Sequence, residues 1–201
     1  MSSVPAPGVF FPAGRAPSPS SSHRKAIFLD RDGVINVNHG YVHTMAETEW
    51  VPGVFDFCQA AANQGYALVV VTNQAGIARG YYSEAQFRDY MAWVHAQFED
   101  RGVPLLATWY CPHHPTAGVG DLKIDCGCRK PKPGMIVAAC EMLGINPGES
   151  LLVGDQPSDL EAAQAAGVGS SFMIDPAAAH PFDGLLGRFG KGERVDCLPK
   201  P

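Results

Sequence analysis

The chain has 201 residues, 46% hydrophobic and 17% charged, a balance that supports one well-filled core and excludes a disordered polymer. With 15 basic and 20 acidic residues the formal net charge is -5, so no general attraction to nucleic acid or to an anionic membrane is expected. No segment approaches the roughly 20 apolar residues of a membrane span, and the Ser/Pro-rich start lacks the apolar stretch of a secretory signal; a cytoplasmic monomer is expected.

In chain order, residues 1–24 read as a flexible tail and 25–201 as a single domain. A short apolar strand over 26–29 ends in Asp30-Arg31-Asp32-Gly33, which puts two carboxylates at the carboxyl edge of a sheet. A helix over 54–64 stops at Gly65, a residue suited to a C-terminal stop. Ala67-Leu68-Val69-Val70-Val71 is continuously apolar, as for a parallel strand covered on both faces. A second helix over 83–101 opens with Ser83 and Gln86 at capping-box spacing. Strands over 107–110, 151–153 and 171–174 alternate with helices over 133–143 and 158–166, the last opening with Ser158 and Glu161. A last strand is expected near Val195 at the C-terminal end. Strand alternating with helix predicts a doubly wound α/β domain with a mostly parallel sheet. Two long connections, 31–51 and 111–131, leave strand ends, and loops of that length in a compact domain usually carry function.

The polar residues at those strand ends can serve phosphoryl chemistry. One carboxylate of Asp30 and Asp32 can attack phosphorus or hold a metal while its neighbour moves a proton; Asp-x-Asp-Gly is also an ordinary turn. Thr72, followed by Asn73, Gln74 and Ala75, can bind phosphate oxygens, or form a polar turn. Asp155 follows Gly154 at another strand end, where carboxylates converging on a phosphate suit magnesium. Asp159 reads as an orienting residue or as a helix-start stabiliser. Arg129 and Lys130 precede a helix and can neutralise a transferring phosphoryl group.

Of the six cysteines, Cys111, Cys126 and Cys128 cluster, while Cys58, Cys140 and Cys197 stand alone. Cys58 and Cys140 lie in predicted helices and read as small buried hydrophobes. Cys111-Pro112-His113-His114 followed by Cys126-Gly127-Cys128 supplies three thiolates and an imidazole, from His113 or His114, a donor set for a closed structural zinc site.

Taken together, Asp30 to Gly33, Thr72-Asn73, Lys130, and Gly154-Asp155 through Asp159 resemble the four ordered motifs of haloacid-dehalogenase-type phosphatases. The likeness is closest to the branch acting on a heptose bisphosphate, through Asn36 to His43, Val71 to Gly80, Tyr110 to Pro115 and Cys126 to Pro131. The resemblance implies a Rossmann-like core and removal of the C7 phosphate of a heptose 1,7-bisphosphate in heptose precursor synthesis. It implies Asp30 as nucleophile, Asp32 as acid and base, and Thr72, Arg129 and Lys130 as further catalytic residues. Magnesium would be held by Asp30, Asp32 and Asp155, and zinc by Cys111, His113, Cys126 and Cys128. Asn38, His39, Gly40, Tyr41, Thr72, Asn73, Gln74, Ala75, Arg129 and Lys130 would bind substrate. The short segment after Asp30 leaves no room for a large cap domain. The alternatives are a histidinol-phosphate phosphatase and a catalytically dead zinc-stabilised binding module. Val34, Ala75 and Gln156 stand where relatives often carry threonine, serine and lysine.

Overall fold

The computed structural model describes residues 6–12 and 24–190. Six strands form one sheet in the order β1 (Gly8–Phe10), β4 (Leu105–Cys111), β3 (Ala67–Asn73), β2 (Ala26–Leu29), β5 (Leu151–Gly154), β6 (Ser170–Met173). All pairs are parallel except β1 against β4.

Period-two alternation of apolar residues accounts for the two covered faces. Ile27 and Leu29 of β2, Leu68 and Val70 of β3, and Leu151 and Val153 of β5 enter one core. Their neighbours Phe28, Val69, Val71 and Leu152 enter the other. The first core is closed by α1 (Val54–Asn63) through Phe57, by α3 (Glu84–Asp100) through Phe87 and Met91, and by α6 (Asp183–Gly190) through Leu185. The second is closed by α4 (Gly134–Leu143) through Met135 and Ile136, and by α5 (Pro157–Ala165) through Ala162 and Ala163. A strand buried on both sides has no polar face to spare, hence the uninterrupted apolar runs.

The chain winds outward from β2 through β3 to β4, then returns to place β5 on the other side of β2. The order therefore reverses between β2 and β5. Adjacent βα loops diverge at such a switch point and leave a crevice at the strands' carboxyl ends. The segments after β2 and β4 contain only the 3-10 turns Met45–Glu47 and Gly120–Leu122, so among the described residues no cap domain is inserted.

Several expectations are revised. Residues 8–10, placed in a flexible tail, form an antiparallel edge strand with Gly8 opposite Tyr110 and Phe10 opposite Thr108. The strand suggested near Val195 lies outside the described residues. β3 and β4 run on through Thr72–Asn73 and Cys111, because these polar ends keep ladder partners next to the crevice. A short helix, α2 (Ala75–Ala78), follows β3 directly. The Ser83–Gln86 capping box is present, but the N-cap of α5 lies two residues before the expected Ser158. Gln156 is its N-cap, and the Asp159 carboxylate accepts from the Gln156 N–H at 3.0 Å. Cys58 is buried, whereas Cys140 is only half-buried.

Candidate active site

The crevice between β2, β3 and β5 is a cavity of about 450 Å³ lined by Asp30, Asp32, Thr72, Lys130, Asp155 and Asp159, with Asn38, Gly40 and Tyr41 from the first long loop. Asp30 leaves β2 where its backbone N–H still bonds Val153 of β5, at 3.0 Å. Its Oδ1 accepts from the Arg31 N–H at 2.7 Å and faces Lys130 Nζ at 2.9 Å, leaving Oδ2, among the described residues, as the oxygen not tied to a protein donor. Burial pushes the Asp30 carboxyl up to about 7; Lys130 pulls it down, and Asp159 adds to the rise.

Asp32 is held at both oxygens. Oδ2 meets Arg31 Nη2 at 2.6 Å and Oδ1 accepts from Asn36 Nδ2 at 3.2 Å. Gly33 sits at φ 86°, and a Cβ there would overlap the Asp155 carboxylate, so only glycine lets the two strand ends close on each other.

Lys130 arrives from the distant loop after β4. Its ammonium has three donors, and three acceptors meet it: Asp30 Oδ1 at 2.9 Å, Asp159 Oδ1 at 2.6 Å and the Val71 carbonyl at 2.8 Å. Burial works against this charge, but Asp30 and Asp159 outweigh it and raise the lysine pKa. Asn73 clamps the same residue from the backbone side. Its Oδ1 accepts from the Lys130 N–H at 3.0 Å and its Nδ2 donates to the Lys130 carbonyl at 3.1 Å. The peptide bond that follows, Lys130–Pro131, is cis. Both readings of Asp159 hold at once, one oxygen pairing Lys130 and the other capping α5.

A divalent cation fits the carboxylate group. Ligand oxygens of Asp30, Asp155 and Asp159 lie within 4.8 Å of one another. Among the described residues, Asp155 Oδ1 is a buried acceptor with no hydrogen-bond partner. Such an orphan is costly unless a ligand completes it. Burial raises the Asp155 pKa, opposed by the hydrogen bond from Gln156 Nε2 at 3.0 Å.

A second donor set stands behind Arg129 and Lys130. The Sγ atoms of Cys111, Cys126 and Cys128 lie 3.4, 3.3 and 3.1 Å apart, and His113 Nδ1 is 3.8 and 3.5 Å from those of Cys111 and Cys128. Tetrahedral coordination with metal–sulfur bonds of about 2.3 Å gives ligand separations of about 3.8 Å, so a spread of a few tenths of an ångström would bring these donors to that geometry. His114 is turned away, its Nδ1 accepting from the N–H groups of Thr116 at 3.3 Å and Ala117 at 3.1 Å. That selects His113.

Most residues expected to meet substrate do line the cavity: Asn38, Gly40, Tyr41, Thr72, Asn73, Gln74, Ala75, Arg129 and Lys130. His39 does not; its ring pairs with Glu49 at 3.1 Å on the exposed face of the loop. Asn73 and Gln74 line the cavity with their side-chain amides bonded within the protein, that of Gln74 lying 2.8 Å from Thr72 Oγ1 and 2.7 Å from Tyr82 Oη. Sequence reasoning missed Arg31, Asn36 and Tyr82 as parts of the site. An arginine set between two aspartates was the available signal for the first; nothing local marked the other two.

A HAD-hydrolase-like family model matches residues 127–173. The D-glycero-beta-D-manno-heptose-1,7-bisphosphate 7-phosphatase of Vibrio cholerae is 48% identical over 75% of this chain and 81% of its own length. That of Pasteurella multocida is 45% identical over 88% of this chain and 96% of its own. Among solved structures, a HAD-like phosphatase from Mesorhizobium loti aligns with a TM-score of 0.81 at 32% identity, covering 98% of this chain and 99% of that one. The D,D-heptose 1,7-bisphosphate phosphatase of B. bronchiseptica, complexed with magnesium and phosphate, aligns with a TM-score of 0.64 at 32% identity, covering 73% and 78%.

Proposed function

The chain belongs to the HAD-like phosphatase family, and from that premise we propose that it removes the C7 phosphate of D-glycero-D-manno-heptose 1,7-bisphosphate through an aspartyl-phosphate. The observation that carries the chemistry is the convergence of Asp30, Asp32, Thr72, Lys130 and Asp155 on one cavity. The substrate rests on relatives of that name at 45–48% identity.

Asp30 Oδ2 attacks phosphorus as the bond from phosphorus to the C7 oxygen breaks, and the Asp32 carboxyl gives its proton to that oxygen. Water then attacks phosphorus, Asp32 takes the water proton back, and the Asp30–phosphorus bond breaks to release inorganic phosphate. Thr72 and Lys130 offset charge on the phosphoryl oxygens, and Arg129 lies in the cavity wall beside them. Asp30 and Asp155, with the Asp32 carbonyl, would hold magnesium, which when bound supplies charge that keeps both carboxylates ionised and steadies the transferring group. Cys111, His113, Cys126 and Cys128 would hold zinc in a closed site whose role is to anchor the Arg129–Lys130 segment. A cavity of about 450 Å³ suits a small phosphosugar, with Asn38, Gly40 and Tyr41 meeting the sugar.

The test is phosphate release from both anomers of the heptose bisphosphate, from fructose 1,6-bisphosphate and from histidinol phosphate, with Asp30→Asn as the blank. Preferred cleavage of the heptose bisphosphate is expected. Cleavage of histidinol phosphate alone would replace the substrate assignment, and full activity in Asp30→Asn would remove the nucleophile.

A further inference from the structure

Arg31 lies between the two aspartates and is fully buried. A buried guanidinium loses several kcal/mol of hydration and is retained only where its donors are all placed. Here each arm has a different client. Nη2 meets Asp32 Oδ2 at 2.6 Å, and Nη1 donates to the Val42 carbonyl at 2.6 Å. The Gln74 amide lies 3.3 Å from Nη2 and touches Thr72 and Tyr82 on its other side. The guanidinium carbon sits 5.2 Å above the Tyr90 ring and 5.8 Å from that of Phe87, aromatic faces that favour a desolvated cation.

These clients share no secondary-structure element. Asp32 lies in the turn after β2, Val42 closes the loop that brings Asn38, Gly40 and Tyr41 to the cavity, and Gln74 caps the end of β3. One planar, rigid group therefore fixes the proton donor relative to the loop that meets the substrate. Lysine has the charge but not the fork.

We propose that Arg31 is a positioning residue that aims the Asp32 carboxyl at the leaving-group oxygen and sets the 38–42 loop against it. The proposal rests on the acid–base role given to Asp32 above. It predicts dependence on the leaving group. An alkoxide leaving group needs the proton that Asp32 supplies, whereas p-nitrophenolate leaves without one.

The experiment compares Arg31→Lys and Arg31→Ala with the unmodified, magnesium-loaded enzyme in single-turnover phosphorylation. The substrates are the heptose bisphosphate and p-nitrophenyl phosphate. Loss of proton delivery should slow the sugar phosphate by about 100-fold, with the aryl phosphate within about fivefold of wild type. The KM for the sugar phosphate should rise in Arg31→Lys, and added guanidinium should restore sugar phosphate turnover in Arg31→Ala. Equal losses on both substrates, from misfolding or from any other cause, would overturn the proposal, as would an unchanged sugar phosphate rate. If wild type does not cleave the heptose bisphosphate, the substrate assignment fails on its own. The comparison then runs on whichever alkyl phosphate the enzyme cleaves.

Discussion

Asp159→Asn isolates the ion pair that seats the lysine. The carboxylate is 1% exposed and meets Lys130 Nζ at 2.6 Å. Asparagine keeps an oxygen for the Gln156 N–H but loses the charge facing the ammonium. Breaking a buried pair outright costs about 3–5 kcal/mol. Lys130 would retain Asp30 and the Val71 carbonyl, so about 2–3 kcal/mol is expected, a fall in Tm of about 4–12 °C for a domain of this size. Lys130→Met removes the cation shared by two buried carboxylates and should cost the full ~3–5 kcal/mol. The double variant should cost about 2 kcal/mol less than the sum of the two, because each single change already breaks the same contact. Urea unfolding followed by tryptophan fluorescence, with metals held constant, measures all four states. Additivity within about 0.5 kcal/mol would refute the coupling and reduce Asp159 to a helix cap.

Three more outcomes follow from the site. The Asp30 carboxyl titrates near 7 when folded against its ordinary 3.8, so between those pH values the folded protein holds a proton that the unfolded chain has released. Its contribution to stability is complete below about pH 4 and lost as the pH rises through about 7. In magnesium-free buffer Asp30→Asn should therefore gain on wild type across that interval in denaturant titrations, and a pH-independent gap would contradict the burial argument. Elemental analysis should find one zinc per chain. Cys126→Ser should lower Tm and speed hydrogen exchange at Arg129 and Lys130; a zinc-free protein of full stability and activity would remove the structural metal. Gly33→Ala forces a left-handed residue at about 1–2 kcal/mol and drives a Cβ into the Asp155 carboxylate. Calorimetry should show weakened magnesium binding, and an unchanged affinity would show that the carboxylate simply moves aside.

How far the chain could be read in advance depended on the range of the interactions involved. Residues 67–71 were legible as a buried strand because both faces need apolar side chains, and the Ser83–Gln86 box was legible because a cap acts over three residues. β1 was not, since Gly8–Phe10 is a strand only through its pairing with residues 108–110. The start of α5 shifted for a related reason: Asp159, whose other oxygen pairs Lys130, caps Gln156 in place of the serine box.

The site divides along the same line. Residue type and position at a strand end drew attention to Asp30, Asp32, Thr72 and Asp155, because a strand end in a doubly wound sheet delivers its next side chain to the crevice; Lys130, far from the end of β4 in sequence, stood out only as a cation before a helix and through the family resemblance. The Cys/His spacing was enough to mark a metal-ligand set but left His113 and His114 open; the turn at Thr116 and Ala117 took up His114 Nδ1 and closed that choice. What required the tertiary structure was the division of labour among polar groups. A donor buried beside several acceptors is committed to the nearest, and only the folded chain sets which is nearest. Thus Asn73 serves the Lys130 backbone 57 residues away, His39 faces outward to Glu49, and Arg31, unremarked between two aspartates, becomes the link from Asp32 to the loop that ends at Val42.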